Sequence, residues 1–387
     1  MPKRHSLDAV IIGAGVIGAA CAYFAARSGL SVAVVDRGPV AGGTTGAGEG
    51  NLLVSDKGTG PELDLALLST RLWRELSDAL PPDIEYEPKG GLVVAHDEPT
   101  LKALRAFAES QRESGVRAEE IQAQDLTALE PHLAPSHTGG FLYPQDAQVQ
   151  PAKAAAHLLA ASGATTYLGE EVTGILRTPS GTVTGVRTPR RELLAPAVVN
   201  AAGTWGGEIA ALAGAHLPVL PRRGFVLVTE PLPPLVRHKV YAADYVADVA
   251  SDSANLQSSA VVEGTPAGPV LIGATRERVG FDRTLSPQAL QRLAAQAAAL
   301  FPILSDVDVI RAYHGFRPYL PDHLPAIGPD HRVPGLFHAC GHEGAGIGLA
   351  PATAALIAAA LTGAEPPLDL APFAPHRDFD GHGGGAE

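Results

Sequence analysis

Sulfur and aromatic side chains are scarce in this chain of 387 residues, which has two cysteines, one methionine and 5% aromatic residues. Two cysteines cannot build a disulfide framework, and this fits a protein of the reducing cytoplasm. The histidines and cysteines also lack the spacing of metal ligands, so we expect no metal site. The composition therefore predicts a cytoplasmic protein whose chemistry does not depend on a bound metal.

Positive charge is scarce as well, because 29 Lys and Arg residues stand against 41 Asp and Glu residues, for a formal net charge of −12. This balance disfavours nucleic acid and anionic membrane surfaces as partners. Two apolar stretches, 9–26 and 347–361, need separate consideration. Three glycines interrupt the first, and the second contains Pro351 and is shorter than the ~20 residues that a bilayer requires. We expect no transmembrane segment.

The length and the 45% hydrophobic content allow about two domains with a sizeable core. Parallel α/β patterns alternate with mixed β patterns, which predicts an α/β fold whose two domains each combine separated segments. We assign 1–80, 147–223 and 315–378 to a nucleotide-binding domain. Residues 81–146 and 224–314 form a second domain of α+β character with a mixed sheet. The range 379–387 is expected to be a disordered tail.

A glycine-rich loop near the start follows an apolar strand and opens a helix. Gly13, Gly15 and Gly18 form a G-x-G-x-x-G pattern, and a second apolar strand ends at Asp36. In such a βαβ unit the glycines allow a tight turn, close approach of a pyrophosphate and close helix packing. The helix N-terminus favours the binding of phosphate, and the carboxylate of Asp36 can accept a hydrogen bond from a ribose hydroxyl. The pattern predicts a dinucleotide site, with a plain glycine-rich turn as the alternative.

A second glycine-rich loop, residues 341–348, opens another apolar helix near the end of the chain. A nicotinamide dinucleotide needs only the first loop. FAD has an isoalloxazine ring far from its adenine, so an enzyme that encloses FAD has a use for both loops. We therefore predict FAD as the cofactor, and the second loop argues against a nicotinamide dehydrogenase.

Several motifs resemble the D-amino-acid oxidase superfamily, on its glycine and sarcosine oxidase branch. Besides the first loop, the motifs occupy 44–51, 199–205, 315–322 and 341–344. The chain is most similar to the catalytic subunits of dehydrogenases for proline, hydroxyproline, opines or glycine. This resemblance implies a Rossmann-like FAD domain of the glutathione-reductase type. It also implies an enzyme that dehydrogenates the C–N bond of an amino or imino acid by hydride transfer to flavin N5.

The resemblance also implies which residues contact FAD. The glycine loop and Asp36 would hold the pyrophosphate and the adenosine ribose, residues 50–52 would pass beside the flavin ring, and 344–347 would present backbone N–H groups to the flavin pyrimidine. The complete set implied for FAD is Gly13, Gly15, Val16, Ile17, Gly18, Asp36, Arg37, Thr44, Thr45, Gly50, Asn51, Leu52, Val172, Ala202, Gly203, Trp205, Gly344, Ala345, Gly346 and Ile347.

Arg317 is the principal substrate candidate, because the arginine of this Gly-x-Arg-Pro motif binds the substrate carboxylate in similar amino-acid oxidases. A guanidinium suits the task, since two parallel N–H donors meet two carboxylate oxygens; the alternative is a structural arginine. Tyr241 and Tyr245 are candidates for contacting the carboxylate or lining the pocket, with a core or surface position as the alternative. His314 is a candidate for facing flavin or substrate, and Glu49 for contacting a basic substrate or for a structural role.

Two departures argue against simple glycine oxidation. Glycine oxidases carry a second arginine in the loop that begins at Gly341, where this chain has Glu343. They also carry a tyrosine in the strand before 273–275, and this chain has none there. Two other function classes stay open: a flavin dehydrogenase for hydroxy acids or glycerol 3-phosphate, and an electron-transfer subunit. The loop at 341–344 resembles subunits of multi-subunit dehydrogenases, so we expect a partner polypeptide and slow reaction with oxygen.

Overall fold

A computed structural model describes residues 7–245 and 253–379. The predicted tail lies outside these ranges, apart from Phe379. The strands in chain order are β1 Ala9–Ile12, β2 Val32–Asp36, β3 Asn51–Leu52, β4 Gly91–Ala95, β5 Glu119–Gln122, β6 Gly139–Tyr143, β7 Ala147–Gln148, β8 Thr165–Leu168, β9 Gly174–Arg177, β10 Val183–Arg187, β11 Glu192–Leu194, β12 Ala197–Asn200, β13 Leu220–Pro231, β14 Lys239–Ala242, β15 Gln257–Gly264, β16 Pro269–Arg276, β17 Val309–Tyr319, β18 Ala326–Pro329 and β19 Leu336–Cys340.

The helical patterns of the sequence cover 19–28, 69–80, 100–115, 151–162, 286–300 and 347–361, and the structure has a helix at each, with shifted ends. Two further helices, Ala123–Leu129 and Gly206–Leu212, are not predicted from the sequence. In chain order the helices are α1 Val16–Arg27, α2 Pro61–Ala79, α3 Glu98–Glu113, α4 Ala123–Leu129, α5 Pro151–Ser162, α6 Gly206–Leu212, α7 Pro287–Leu300 and α8 Gly346–Thr362. Proline occupies the first turn of α2, α3, α5 and α7, where its missing N–H costs nothing. Within the described ranges, no helix combines the length and the apolar character that crossing a bilayer requires.

One sheet has the order β18-β19-β12-β1-β2-β8, and all its pairings are parallel except that of β18 with β19. Its central strand β1 is fully buried apart from a 5% exposed Ile12, as expected for a strand covered on both faces. Helices α1 and α8 pack against each other beside this sheet. The arrangement brings the N-termini of the first and last helices to the same side of the molecule.

The second large sheet is mixed, with the order β17-β13-β16-β15-β14-β4-β6-β5. The neighbours β17, β13, β16 and β15 are antiparallel, and β14 pairs in parallel with β4. Helix α7 covers one face and buries Leu293, Ala297 and Leu300 among apolar residues of the sheet. The other face is left for the site described below.

The two sheets confirm the predicted α/β fold with a mixed second sheet. The predicted domain boundaries at 223/224 and 314/315 fall inside β13 and β17. Both strands are long, and they continue without a break from the mixed sheet toward the loops of the nucleotide end. The division into two domains at these residues stays a prediction.

Candidate active site

A cavity of about 650 Å³ extends from the first glycine loop to the second. Gly13 and Gly15 line one end of this cavity, and Gly344 and Gly346 line another part of it. Residues of the mixed sheet, among them Ala274 and Arg317, complete the wall. A single continuous space therefore joins the helix N-termini to the face of the mixed sheet.

The first loop follows the geometry that its glycines predict. Gly13 has a φ of +114°, and a Cβ there would lie 2.4 Å from the carbonyl oxygen of Ala201. A Cβ on Gly18 would lie 1.9 Å from the carbonyl oxygen of Gly13, so this residue sets the packing of α1 rather than lining the cavity. Helix α1 follows Gly15, and the hydroxyl of Thr45 accepts from its first N–H group, that of Val16, at 3.0 Å. The next N–H groups of the first turn are suited to a pyrophosphate.

Asp36 lines the cavity beside the first glycine loop, and its contact with the adenosine ribose stays a prediction. Its carboxylate accepts hydrogen bonds from the backbone N–H groups of Ala14 and Gly38, both at 2.7 Å. Arg37 follows, with its guanidinium 4.2 Å from the ring centroid of Trp205. Both Arg37 and Trp205 line the cavity together with Val172. An acidic hydrogen-bond acceptor and an aromatic wall are what a ribose and an adenine require.

The second loop supplies another free helix end. Helix α8 begins at Gly346 after Ala345, and no side chain caps it. Trp73 donates from its indole nitrogen to the carbonyl oxygen of Ile347 at 3.1 Å, which fixes the first turn from outside. A positive helix end at this position can stabilise the negative charge that a reduced flavin carries.

Arg317 reaches the cavity by crossing a neighbouring strand. Its Nη1 donates to the carbonyl oxygen of Thr275 at 2.8 Å. The side chain passes over Gly224 of β13, where a Cβ would lie 2.1 Å from Nη1. Burial and the nearby charge of Arg276 lower the pKa of Arg317 to about 10. The guanidinium remains charged at neutral pH, and its other N–H groups are available to a carboxylate.

Glu49 lines the same part of the cavity and is 7% exposed. Its Oε1 is buried and has no hydrogen-bond partner among the described residues. Burial raises the pKa of Glu49 to about 7, against the opposing effect of Lys239 and with a smaller contribution from Glu263. A Cβ at Gly273 would lie 2.1 Å from Oε2, so the absent side chain makes room for this carboxyl group. A cation and a carboxyl group of raised pKa thus face one cavity.

The family model for "FAD dependent oxidoreductase" matches residues 8–360. The chain belongs to this family. It is 31% identical to a glycine oxidase of Geobacillus kaustophilus over 379 residues, covering 95% of this chain and 96% of that protein. It is 31% identical to the hydrogen cyanide synthase subunit HcnC of Pseudomonas aeruginosa, with 96% of each chain covered. The crystal structure of the glycine oxidase from Geobacillus kaustophilus superposes with a TM-score of 0.87 at 30% identity, over 97% of this chain and 99% of that one.

These similarities confirm the predicted superfamily and branch, FAD as cofactor and an oxidoreductase activity, and they agree with action on the C–N bond of an amino or imino acid. The structure independently fits FAD, since two helix N-termini and an acidic hydrogen-bond acceptor share one cavity. The residues predicted for FAD that line this cavity are Gly13, Gly15, Val16, Ile17, Asp36, Arg37, Thr44, Thr45, Asn51, Val172, Ala202, Gly203, Trp205, Gly344, Gly346 and Ile347.

Four residues predicted for FAD do not line the large cavity. Gly18 and Gly50 pack against backbone, and a Cβ on Gly50 would lie 2.0 Å from the carbonyl oxygen of Val149. Leu52 is a buried core residue. Ala345 lines a neighbouring cavity of about 10 Å³. Gly50 and Leu52 therefore act on the adjoining loop through packing rather than by lining the cavity.

The structure separates the two tyrosine candidates. Tyr245 lines the cavity, whereas Tyr241 is fully buried and its hydroxyl is hydrogen-bonded to Ser55. The rings lie 4.9 Å apart, so Tyr241 supports Tyr245 from behind. His314 does not line the cavity either; its ring packs against Phe225 and Phe316 at centroid distances of 5.7 and 5.6 Å. For Tyr241 the arrangement favours the core alternative, and the half-buried His314 is not at the cavity where a contact with flavin or substrate is predicted.

Glu343 is engaged inside the protein. Its carboxylate forms an ion pair with Arg222, and His323 Nδ1 lies 3.0 Å from Oε2. Burial opposes ionisation, but the hydrogen bond from His323 and the charge of Arg222 hold the pKa of Glu343 at about 2. His342 is buried against Thr353, and burial lowers its pKa to about 3. His342 and Glu343 both line the cavity, but the carboxylate of Glu343 is paired within the protein.

Sequence reasoning missed Arg276. This residue ends β16 and is 4% exposed, and its guanidinium carbon lies 4.7 Å from the ring centroid of Tyr245. It also missed Lys239, whose ammonium group is bonded to Glu263 and Asn51. An arginine at the end of a strand carries no motif, and only the sheet register places it near Arg317.

Proposed function

We propose that the chain oxidises an amino or imino acid by converting its C–N single bond to C=N, with two electrons and the α-hydrogen passing as hydride to FAD. The observation that carries this proposal is the guanidinium of Arg317, which is buried at the cavity and anchored to a carbonyl oxygen rather than to an acid. A buried cation of this kind is suited to a substrate carboxylate.

Glu49 favours an amine over a hydroxy acid as substrate. A carboxyl group that lines the cavity can pair with an ammonium group, and a hydroxy acid offers no positive charge to it. With a pKa near 7, Glu49 can also take the ammonium proton, which leaves the nitrogen neutral so that its lone pair assists loss of the α-hydrogen. The nitrogen then becomes an iminium, and water hydrolyses it unless it is cyclic.

Arg317 and Glu49 together would fix the orientation of the substrate. The carboxylate binds the guanidinium, the nitrogen faces Glu49, and the α-carbon lies between them. When bound, FAD supplies the hydride acceptor. Positioning of this kind accounts for a large part of catalysis when the protein needs no strong base.

We further propose that the electrons leave FAD through a partner polypeptide. One relative is named as a subunit of a synthase, and it is similar to this chain over almost its whole length. Any iron–sulfur relay would lie on the partner, because such a cluster takes four ligands and this chain has two buried cysteines. Stopped-flow reoxidation tests this: slow reaction with oxygen is expected, and fast peroxide formation by the isolated chain would contradict it.

Anaerobic flavin bleaching tests the main proposal. The purified holoprotein would be mixed with D- and L-amino acids, prolines, hydroxyprolines, glycine, sarcosine and opines, and with lactate and glycerol 3-phosphate. We expect bleaching by at least one amine and by neither hydroxy compound. Bleaching by a hydroxy compound alone would establish the alternative dehydrogenase, and no bleaching with any compound would favour an electron-transfer subunit.

A further inference from the structure

A buried lysine and a buried glutamate lie behind one wall of the cavity. Lys239 on β14 is 1% exposed, Glu263 on β15 is 2% exposed, and the two form an ion pair. The strand register brings them opposite each other, because Val240 pairs with Val262 and each charged residue lies one position beyond. Both act on Glu49, since, after the main effect of burial, Lys239 lowers its pKa and Glu263 raises it. The pair therefore lies close to the cavity, although neither residue lines it.

The ammonium group of Lys239 also donates a hydrogen bond to Asn51, which does line the cavity. An ammonium group has donors only, so the amide oxygen of Asn51 faces the lysine. The amide nitrogen points away from the pair, and it has no hydrogen-bond partner among the described residues. The backbone of Asn51 is held separately, because β3 pairs with β7 at Gln148. Lys239 thus determines which end of this amide is presented at the cavity.

Fixing the orientation of an amide is a task that suits a buried ion pair. An asparagine side chain can turn about its last bond and exchange its oxygen and nitrogen with little change in shape. A charged donor that holds the oxygen prevents this exchange, and Glu263 keeps that donor in place. A buried ion pair contributes little to stability once its charges have lost water, whereas specifying one arrangement of its neighbours is a use that such pairs can have.

We propose that Lys239 and Glu263 are positioning residues that hold the N–H groups of Asn51 toward the flavin ring, where they stabilise the reduced cofactor. Residues 50–52 are predicted beside this ring, and Asn51 is the one of the three that lines the large cavity. Reduced flavin carries more negative charge than oxidised flavin, so a fixed N–H donor stabilises the reduced form more. The donor thereby raises the midpoint potential. This inference holds for any substrate and does not depend on amine oxidation.

The midpoint potential of the flavin in the holoprotein tests the proposal without turnover. It would be measured by equilibration with redox dyes at pH 9, where Glu49, with its pKa of about 7, is ionised. In Asn51→Leu the equilibrium constant for two-electron reduction should fall about tenfold, as loss of one hydrogen bond implies, which is a shift of about 30 mV. The double variant Lys239→Met, Glu263→Met should shift the potential in the same direction, although it removes no net charge. An unchanged potential in either protein would overturn the proposal.

Combining the substitutions separates positioning from independent effects. If Lys239 and Glu263 act through Asn51, adding Asn51→Leu to the double variant should lower the potential no further. Full addition of the two shifts would show separate effects and would overturn the proposal. The double variant Lys89→Met, Glu87→Met is the matched control. This Lys–Glu pair is 3.4 Å apart, is bonded to Gly264 and Gln148 rather than to Asn51, and does not line the cavity. It should keep the wild-type potential, and a shift as large as that of the first pair would contradict the assignment.

Two milder variants decide the question if the first double variant binds no FAD. Lys239→Arg keeps a charged donor and should retain most of the potential. In Asn51→Asp the lysine keeps an oxygen partner, and a second oxygen replaces the N–H groups. The potential should then fall further than in Asn51→Leu, because a charged acceptor faces the ring. A wild-type potential in Asn51→Asp would overturn the proposal.

Ligand binding shows whether the amide serves the substrate instead of the flavin. Butyrate, an unreactive carboxylate, would be titrated into the holoprotein while the flavin absorbance is recorded. A lower potential in Asn51→Leu with unchanged butyrate affinity supports the proposal. Weaker butyrate binding with an unchanged potential would assign the N–H groups to the substrate and overturn it. Because these readouts need no turnover, failure of the amine panel would leave this inference standing, and its own failure would leave the amine oxidation intact.

Discussion

The cofactor end of the cavity is built mainly from backbone groups, whereas the substrate end is built from side chains. At the cofactor end, backbone N–H groups at the starts of α1 and α8 and the absent side chain of Gly13 shape the site. At the substrate end, the side chains of Glu49, Tyr245 and Arg317 come from separate parts of the chain to one cavity. A site made of backbone needs small residues at fixed spacing, whereas a site made of side chains needs only the correct register of distant strands.

This difference explains why the two ends should respond differently to substitution. A change at the cofactor end alters flavin content, and a change at the substrate end alters turnover of a fully loaded protein. Each variant below is assigned to one end. A cofactor-end variant that changed only turnover, or a substrate-end variant that changed flavin content, would contradict this distinction.

The largest effect is expected for Arg317→Ala. Removal of the cation leaves the substrate carboxylate unpaired in a buried site, at a cost of about 2–5 kcal/mol. This corresponds to a fall in kcat/KM of roughly 30-fold to several thousand-fold. The flavin spectrum should be retained, and Arg317→Lys should recover little, because an ammonium group cannot form paired hydrogen bonds. Unchanged kcat/KM for flavin reduction would place the carboxylate elsewhere.

Asp36→Ala should weaken FAD binding rather than turnover of the loaded protein. Its carboxylate accepts from Ala14 and Gly38 and lines the cavity, so the variant removes a charged acceptor from the loop and from the predicted ribose position. We expect FAD binding to weaken by about 1.5–3 kcal/mol. Titration of the apoprotein with FAD, followed by flavin fluorescence, measures this. A variant that keeps full affinity but loses turnover would contradict the assignment.

Gly224→Ala should disturb the substrate end through packing alone. The added Cβ would lie 2.1 Å from Nη1 of Arg317 and 2.5 Å from the carbonyl oxygen of Thr275. Such overpacking costs about 1–3 kcal/mol, and relief by movement of the guanidinium would lower kcat/KM while FAD content stays constant. Gly174→Ala is the control, because the nearest atom to its Cβ is 3.9 Å away. Equal turnover by both variants would show that Arg317 need not cross β13.

The smallest effect is a pH dependence that belongs to Glu49. With a pKa of about 7, the group is protonated at lower pH and cannot accept the substrate's ammonium proton. We expect kcat/KM to rise with pH to a plateau above 7 and to fall about tenfold for each pH unit below it. In Glu49→Gln this limb should be absent. Persistence of the same limb in the variant would assign it to another group.

The contrast between the two ends also explains which parts of the site can be predicted from the sequence. The G-x-G-x-x-G loop, Asp36 and the loop at 341–348 identify the cofactor end, because each position has a local steric or polar requirement. Arg317 is found through its motif. The sequence does not reveal Arg276 or distinguish Tyr241 from Tyr245, because the burial and the partners of these residues depend on the pairing of β14, β15 and β16. Helix ends also shift: the amphipathic pattern predicts a helix at 69–80, and α2 begins earlier, at Pro61.

The continuous cavity between α1 and α8 has a consequence for the amount of this protein in a cell. A cofactor that touches the first and last helices closes almost the whole chain into one loop, much as a covalent cross-link would. Because it binds only the folded form, the free energy of unfolding rises with the concentration of free FAD. Flavin supply would then set the steady-state amount of this protein, since molecules made during flavin shortage open more often to proteases.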